Sequence, residues 1–308
     1  MKIVRNSDAG RYPTRFRDLL SWSAVLLVAC LSLLPAACGS SGDAGSAPAA
    51  VSIQAQYSGA VADTRFLTPD EISDNLTPIV NHNGELIWEN GVVGSRVLVA
   101  TVLNDNGRYY ICDNPDGCVG DTCKEGGDCS TYRWDSWVTV VPEMKKRFAF
   151  YTPSLLRIVQ LLGLPPSYAT AGDPREAKYV LELWASPKDL FRPCPDSEIS
   201  DTACETDFPA DPFRMLDTQN KVWATEGLAV PVFKTYSSWF NNRTRNIYTA
   251  TASSDAYPWT RVGYTYDWGS PHHVGLSEFV LHGKKSDDST ISVGIHSVKT
   301  VTEYFRHQ

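Results

Sequence analysis

Asp267, His272, His273, Glu278 and His282 bring the side chains of acid–base and metal chemistry together within sixteen residues. Imidazole and carboxylate at short range can hold zinc or relay protons, and four of the six histidines fall between 272 and 296. The spacing argues against a joint site. His272 and His273 are adjacent, so on an extended chain they point to opposite faces. Glu278 and His282 are expected to share a face only on a helix, whereas Gly275 to Leu281 reads as extended. The zinc motif His-Glu-x-x-His is absent from the chain. A metal-assisted hydrolase built on these five residues is therefore the alternative reading, not the leading one.

Immediately before them, Tyr257, Trp259, Tyr264, Tyr266 and Trp268 place five aromatics in twelve residues. On a strand, Val262, Tyr264, Tyr266 and Trp268 share one face, with Arg261, Gly263, Thr265 and Asp267 on the other. Exposed, such rings make a stacking platform for a sugar or another flat ligand. Buried, they are the inner face of a core strand, the commoner use of strand aromatics. The core reading is the expectation. Trp259, Tyr264, Tyr266, Trp268 and His272 are the candidate binding residues on the platform reading.

Other catalytic signatures are missing. There is no Gly-x-Ser-x-Gly elbow, no phosphate loop or dinucleotide fingerprint, and no Cys-x-x-Cys-His haem attachment. Asp113 to Gly117 superficially suits a calcium loop. With Gly117 at the sixth position, however, Cys112 and Cys123 stand where the EF-hand needs carboxylates. A second acidic stretch, Asp189 to Asp211, carries Asp196, Glu198, Asp201, Glu205 and Asp207 and reads as a solvated surface loop. No cofactor and no metal are expected.

At the other end, Lys2, Arg5, Arg11, Arg15 and Arg17 precede the apolar run Leu19 to Ala37. Cys38 and a spacer of Gly, Ser, Ala and Asp follow. A basic start, an apolar stretch, small residues, a cysteine and a tether resemble a bacterial lipoprotein signal. The resemblance covers residues 1–42. It implies a signal peptide over 1–37, lipidation of Cys38 and a lipid-held tether over 38–58. Pro35 replaces the usual Leu three residues before the cysteine. Leu27-Val28-Ala29-Cys30 fits that pattern better, but would strand apolar residues at the mature start. A retained span and a plain secretory signal cut after Ala37 are the competing readings. All of them place the rest of the chain outside the cytoplasm.

Of 28 basic and 35 acidic residues, five and two lie in 1–37, which leaves 23 and 33, a net of −10. That balance disfavours nucleic acid and anionic lipid surfaces as partners. Cys112, Cys118, Cys123, Cys129, Cys194 and Cys204 make an even set, read as disulfides in an exported chain. In Cys112-x5-Cys118-x4-Cys123-x5-Cys129, neither x5 spacing provides a zinc knuckle. If Tyr109 to Cys112 and Tyr132 to Val141 are adjacent strands, Cys112 faces Cys129, Cys118 and Cys123 nest inside, and Cys194 pairs with Cys204.

The elements that must position these residues are mixed. Leu86 to Trp88 reads as a short strand before the Asn90-Gly91 turn. Val97 to Leu103 is apolar on both alternating faces, so it should be central and covered twice. A turn at Asn104 to Gly107 leads back into Arg108 to Cys112. Trp137 to Val141 is a strand stopped by Pro142. Thr152-Pro153 should open a helix through Leu162. Tyr179 to Trp184 is a strand, and Tyr236, Trp239, Phe240 and Arg243 share one face of a short helix. Ile291, Val293 and Ile295 alternate as a late strand, and Thr300-x-x-Glu303 should cap a last helix.

The fold expected is α+β, one mixed or antiparallel-sheet domain over 59–308 with short helices and disulfide-stapled loops. Arg192 to Asp196 and Tyr257 to Arg261 look like stretches of uncharacterised exported bacterial proteins, which carries no activity. The leading function is a lipid-anchored envelope protein that binds a glycan or an envelope protein without turning it over. If two membranes are present, Gly39 after Cys38 favours the outer one.

Overall fold

The computed structural model of the protein describes residues 51–105, 107, 123–130, 135–208, 229–249, 256–283 and 291–306, except the side chains of 229–235 and Ser238. Cys30 and Cys38, the leader and most of the tether lie outside the described residues. So do Cys112 and Cys118 and the strand expected over Arg108 to Cys112. Residues 50–308 make one compact unit.

Its frame is a seven-stranded sheet. The strands are β1 (Val97–Leu103), β2 (Asp128–Ser130), β3 (Ser136–Val140), β4 (Tyr179–Ala185), β5 (Leu190–Phe191), β8 (Phe279–Leu281) and β9 (Ser292–Thr300). They run in the order β2-β9-β4-β1-β3-β8-β5, every pair antiparallel. β6 (Tyr264–Tyr266) and β7 (Val274–Ser277) form a separate ladder. The described helices are α1 (Ile53–Asp63), α2 (Val141–Arg147), α3 (Leu155–Leu161), α4 (Ala229–Thr249) and α5 (Val301–Tyr304). This is the α+β arrangement that strands and helices without a βαβ rhythm predict.

The two-residue period of the strands sorts the core. Val97, Val99, Val138, Val140, Phe279 and Leu281 face a layer made by Ile79, Leu86, Trp88 and Ile199. Leu98, Ala100 and Val180 face α2, α3 and α5 through Met144, Ile158, Leu161 and Tyr304. β1 is thus central and covered twice, as its unbroken apolar run requires. Trp137 stands opposite Val280 and Thr139 opposite Ala100, so all four point to the helical face. At that end Val280 and Phe191 pack under Tyr236, Phe240 and Ile247 of α4.

Element ends follow local chemistry, with some shifts from expectation. Pro142 does not merely stop β3. It stands in the first turn of α2, where a missing N–H goes unnoticed. Ser154, not Thr152, caps α3 by accepting from the Arg157 amide at 3.2 Å. Gly163, at φ 66°, ends it in the left-handed region that glycine tolerates. Thr300 and Glu303 form the expected capping box. The helix expected around Tyr236 to Arg243 runs over Ala229–Thr249. Leu86 to Trp88 amounts to one bridge, Trp88 to Val97, because the chain turns at once through Glu89–Gly91.

The tether is also shorter than expected. α1 starts at Ile53, capped by Ser52, inside the stretch assigned as linker. Small residues hid this helix, which tertiary contact holds. Tyr57 sets its ring edge-on to Trp268 at 5.7 Å, and its hydroxyl donates to the Ala256 carbonyl at 2.9 Å.

Two disulfides are described, Cys194–Cys204 as expected and Cys123–Cys129, with Cα atoms 6.2 and 5.4 Å apart. The second corrects the nested pattern of Cys112 with Cys129 and Cys118 with Cys123. β2, which carries Cys129, pairs with β9, and a tight turn at Gly126 and Gly127 returns the chain from Cys123. Among the described residues no helix is long and apolar enough to cross a membrane.

Candidate functional site

The five polar candidates do not converge. Asp267 is buried and held in a two-pronged ion pair with Arg157 at 2.9 and 2.6 Å, and it also accepts from the Gly269 amide. His272 is exposed. His273 lies flat on Tyr266 with ring centres 4.5 Å apart. All three serve the turn between β6 and β7. Among the described residues, no three His, Cys, Asp or Glu side chains are grouped so as to hold a metal ion.

The aromatic stripe turns inward. Trp259, Tyr264, Tyr266 and Trp268 are each no more than 5% exposed, so they form no platform with His272. Their polar tips are mostly satisfied, as buried Tyr and Trp require. Tyr264 donates to the Glu71 carbonyl, Tyr266 to Asp63 and Trp268 to the Leu164 carbonyl. The acidic loop is less solvated than expected. Asp189 and Asp196 are buried, and Asp201 pairs with the fully buried Arg192. Gly263, at φ 79°, lets this cluster close. A Cβ there would sit 2.7 Å from both the Arg192 side chain and the Cys204 sulfur.

Glu278 does reach a site, and His282 reaches its edge through Asp135, both from one strand. Positions i and i+4 of an extended chain share a face as surely as on a helix, which corrects the expectation that they need one. Glu278 precedes β8, His282 follows it, and Val280 between them points to the helical face.

That site is a split in the sheet. β1 and β3 are partners only at Val99–Val140 and Ala100–Thr139. Beyond those pairs β1 stays with β4 as far as Leu103, while β3 stays with β8 back to Ser136. The wedge between them is a cavity of about 430 Å³, inside the roughly 300–1,000 Å³ of small-molecule sites. Ala100 to Leu103 wall one side, Asp135 to Thr139 the other, and Leu164, Tyr168, Tyr257 and Tyr266 help to close it.

Polar atoms with no partner line this cavity. Thr139 Oγ1, Tyr257 OH and Glu278 Oε2 are buried and make no hydrogen bond. Natural interiors satisfy such groups or leave them for water or a ligand. Other buried carboxylates contrast with Glu278. Asp267 has Arg157, and Glu182 has Lys145 at 3.0 Å and Ser297 at 2.7 Å. Burial pushes the Glu278 carboxyl well above its ordinary value. The Trp259 indole opposes that shift without making a hydrogen bond of good geometry. Burial thus favours the protonated form of Glu278, which can donate. Burial likewise raises the Tyr257 phenol, with Arg243 opposing.

Asp135, at the opposite end, is ionised. Burial pushes it up, but bonds from His282, Gly283 and Trp239 outweigh that and hold it below the usual range. Its oxygens lie 2.9 Å from His282 Nδ1 and 2.9 Å from the Trp239 indole nitrogen. Two carboxyl groups in one cavity with pKa values pushed in opposite directions are the ingredients of paired-carboxylate hydrolysis. The backbone spacing argues against it. Asp135 sits beside His282, four residues from Glu278, or about 13 Å along a strand. Carboxyl pairs in such enzymes stand only about 5–9.5 Å apart.

Thr139, Asp135 and Arg243 escaped the sequence reading as site residues, and Tyr257 figures in it only as one of the five clustered aromatics. Thr139 carried a faint signal, as the only hydroxyl within Trp137 to Val141. No protein-family model, no curated protein and no solved structure matches the chain.

Proposed function

We propose that this chain is a lipid-anchored extracytoplasmic binding protein that holds a small ligand in the wedge between β1 and β3. The observation that carries the reading is the set of three unsatisfied polar atoms, on Thr139, Tyr257 and Glu278, lining one cavity. Burying a polar group without a partner costs about 1–3 kcal/mol, a cost that a ligand's own polar groups would offset.

Stability and binding should therefore move in opposite directions. The Thr139→Val, Glu278→Met double variant removes two orphaned groups at similar volume. It should fold at least as stably as wild type, and soluble envelope fragments that quench wild-type tryptophan fluorescence should no longer quench it. Loss of more than about 2 kcal/mol on substitution would mean that the groups hold the fold, and unchanged quenching would place the ligand elsewhere.

Glu278 also leaves a mark on the pH profile. Its folded-state pKa is raised, so its stability contribution is complete below the unfolded value near 4.5 and declines as pH rises towards the folded one. Glu278→Gln should match wild type at pH 4 and exceed it progressively above that, by up to about 1.4 kcal/mol per pH unit. Parallel pH profiles for the two proteins would show that Glu278 is ionised in the fold.

The anchor has its own test. Cys38→Ala should release the protein from membranes and abolish labelling by radioactive palmitate. Labelling that survives this change but is lost in Cys30→Ala would assign the lipid to Cys30. Indifference to both changes would remove the anchor from the reading. The second reading, an envelope hydrolase, has the Asp135–His282 pair in its favour. Hydrolysis of p-nitrophenyl acetate that disappears in His282→Gln would support it.

A further inference from the structure

Arg243 is the one charged member of the aromatic face that α4 turns toward the sheet. Tyr236, Trp239, Phe240 and Ile247 follow the same helical spacing and pack inward. Its guanidinium lies over two indole rings, 5.8 Å from Trp239 and 6.0 Å from Trp137. It is half-buried and lines the cavity. Among the described residues it makes no ion pair and no hydrogen bond. Cation–π contact fixes the plane of an arginine but leaves its N–H fork unused.

The neighbouring charges sharpen the point. Asp135 also lines the cavity, but its oxygens are engaged by His282, Gly283 and Trp239. Glu278 lies in the same lining, is buried, and makes no ion pair among the described residues. Arg243 is thus a cation of the described lining whose N–H groups have no acceptor among the described residues. A planar guanidinium held by rings and open on its donor edge matches a carboxylate, which accepts two parallel N–H bonds.

We infer that the wedge binds a small monocarboxylate, whose carboxylate pairs with Arg243. The ligand's apolar body lies against Trp137 and Tyr257, and a polar group on it meets Thr139 and Glu278. This rests on the cavity being the ligand site and adds the class of ligand. A neutral sugar alone would leave the arginine unmatched.

The test uses the full-length protein with two acids and their primary amides, phenylacetate beside phenylacetamide and hexanoate beside hexanamide. Binding is read from tryptophan fluorescence and from the rise in melting temperature. The acids should bind at least tenfold more tightly than the amides. Arg243→Gln should erase that preference, and it should lower the unliganded melting temperature only slightly, since two cation–π contacts but no hydrogen bond or ion pair are lost. Equal binding of acid and amide, or a preference that survives Arg243→Gln, would overturn the carboxylate and leave the cavity reading standing. The same holds if none of the four binds while envelope fragments still quench wild type but not the Thr139→Val, Glu278→Met variant. If nothing binds and that variant behaves as wild type with the fragments, both readings fall.

Discussion

Arg192→Met should destabilise the protein by about 3–5 kcal/mol, the usual cost of removing one partner from a buried, hydrogen-bonded charge network. Arg192 is fully buried, and its guanidinium donates to Asp201 Oδ1 and to the carbonyls of Thr77, Asp201 and Ala203 at 3.0–3.1 Å. Its plane lies over Phe279 at 5.5 Å. Burial pushes the pKa of the group down, with Asp201 foremost among the carboxylates opposing it. One side chain thereby ties the Cys194–Cys204 loop to the segment before β1 and to β8. Methionine fills much of the volume but leaves three carbonyls and a carboxylate without their donor. Lysine should not rescue the loss, because a point charge cannot serve four acceptors spread across a planar fork. Urea unfolding of both variants, with the disulfide confirmed as formed, is the measurement. A loss below about 1 kcal/mol, or full rescue by lysine, would show that the loop holds without the fork.

Trp268→Ala should cost a similar 3–5 kcal/mol or so, the range for emptying a buried aromatic site. The indole is 5% exposed, packs with Val159 and Tyr266, meets the Tyr57 ring edge-on and donates to the Leu164 carbonyl at 3.1 Å. Because Tyr57 is the main anchor of α1, the same substitution should free that helix. Proteolysis between Ile53 and Asp63 should therefore speed up more than cleavage elsewhere. A urea midpoint equal to that of wild type would mean that the ring is dispensable to the fold and would reopen the platform reading.

These two sites show how local patterns and tertiary context divided the work. The alternation of Val262, Tyr264, Tyr266 and Trp268 was enough to expect a buried strand face, because period two allows only one inner side. Arg192 gave no such signal. An arginine in an acidic loop reads as solvated until the fold wraps four acceptors around it. The Cys123–Cys129 pairing had the same origin. Spacing allowed several closures, and the pairing of β2 with β9 chose one.

The sequence by itself determined the class of the fold, the central place of Val97 to Leu103, the Thr300–Glu303 cap and the Cys194–Cys204 staple. Each depends on residues close in the chain or on a period that the backbone imposes. Only the tertiary structure decided where a ligand could sit. The wedge exists because β1 keeps β4 while β3 keeps β8, and that divergence is a property of four strands drawn from residues 97–281. Thr139 meets Arg243, Tyr257 and Glu278 there from more than a hundred residues away, and those three come from separate segments. No spacing rule connects them, since what they share is a gap in hydrogen bonding and not a motif.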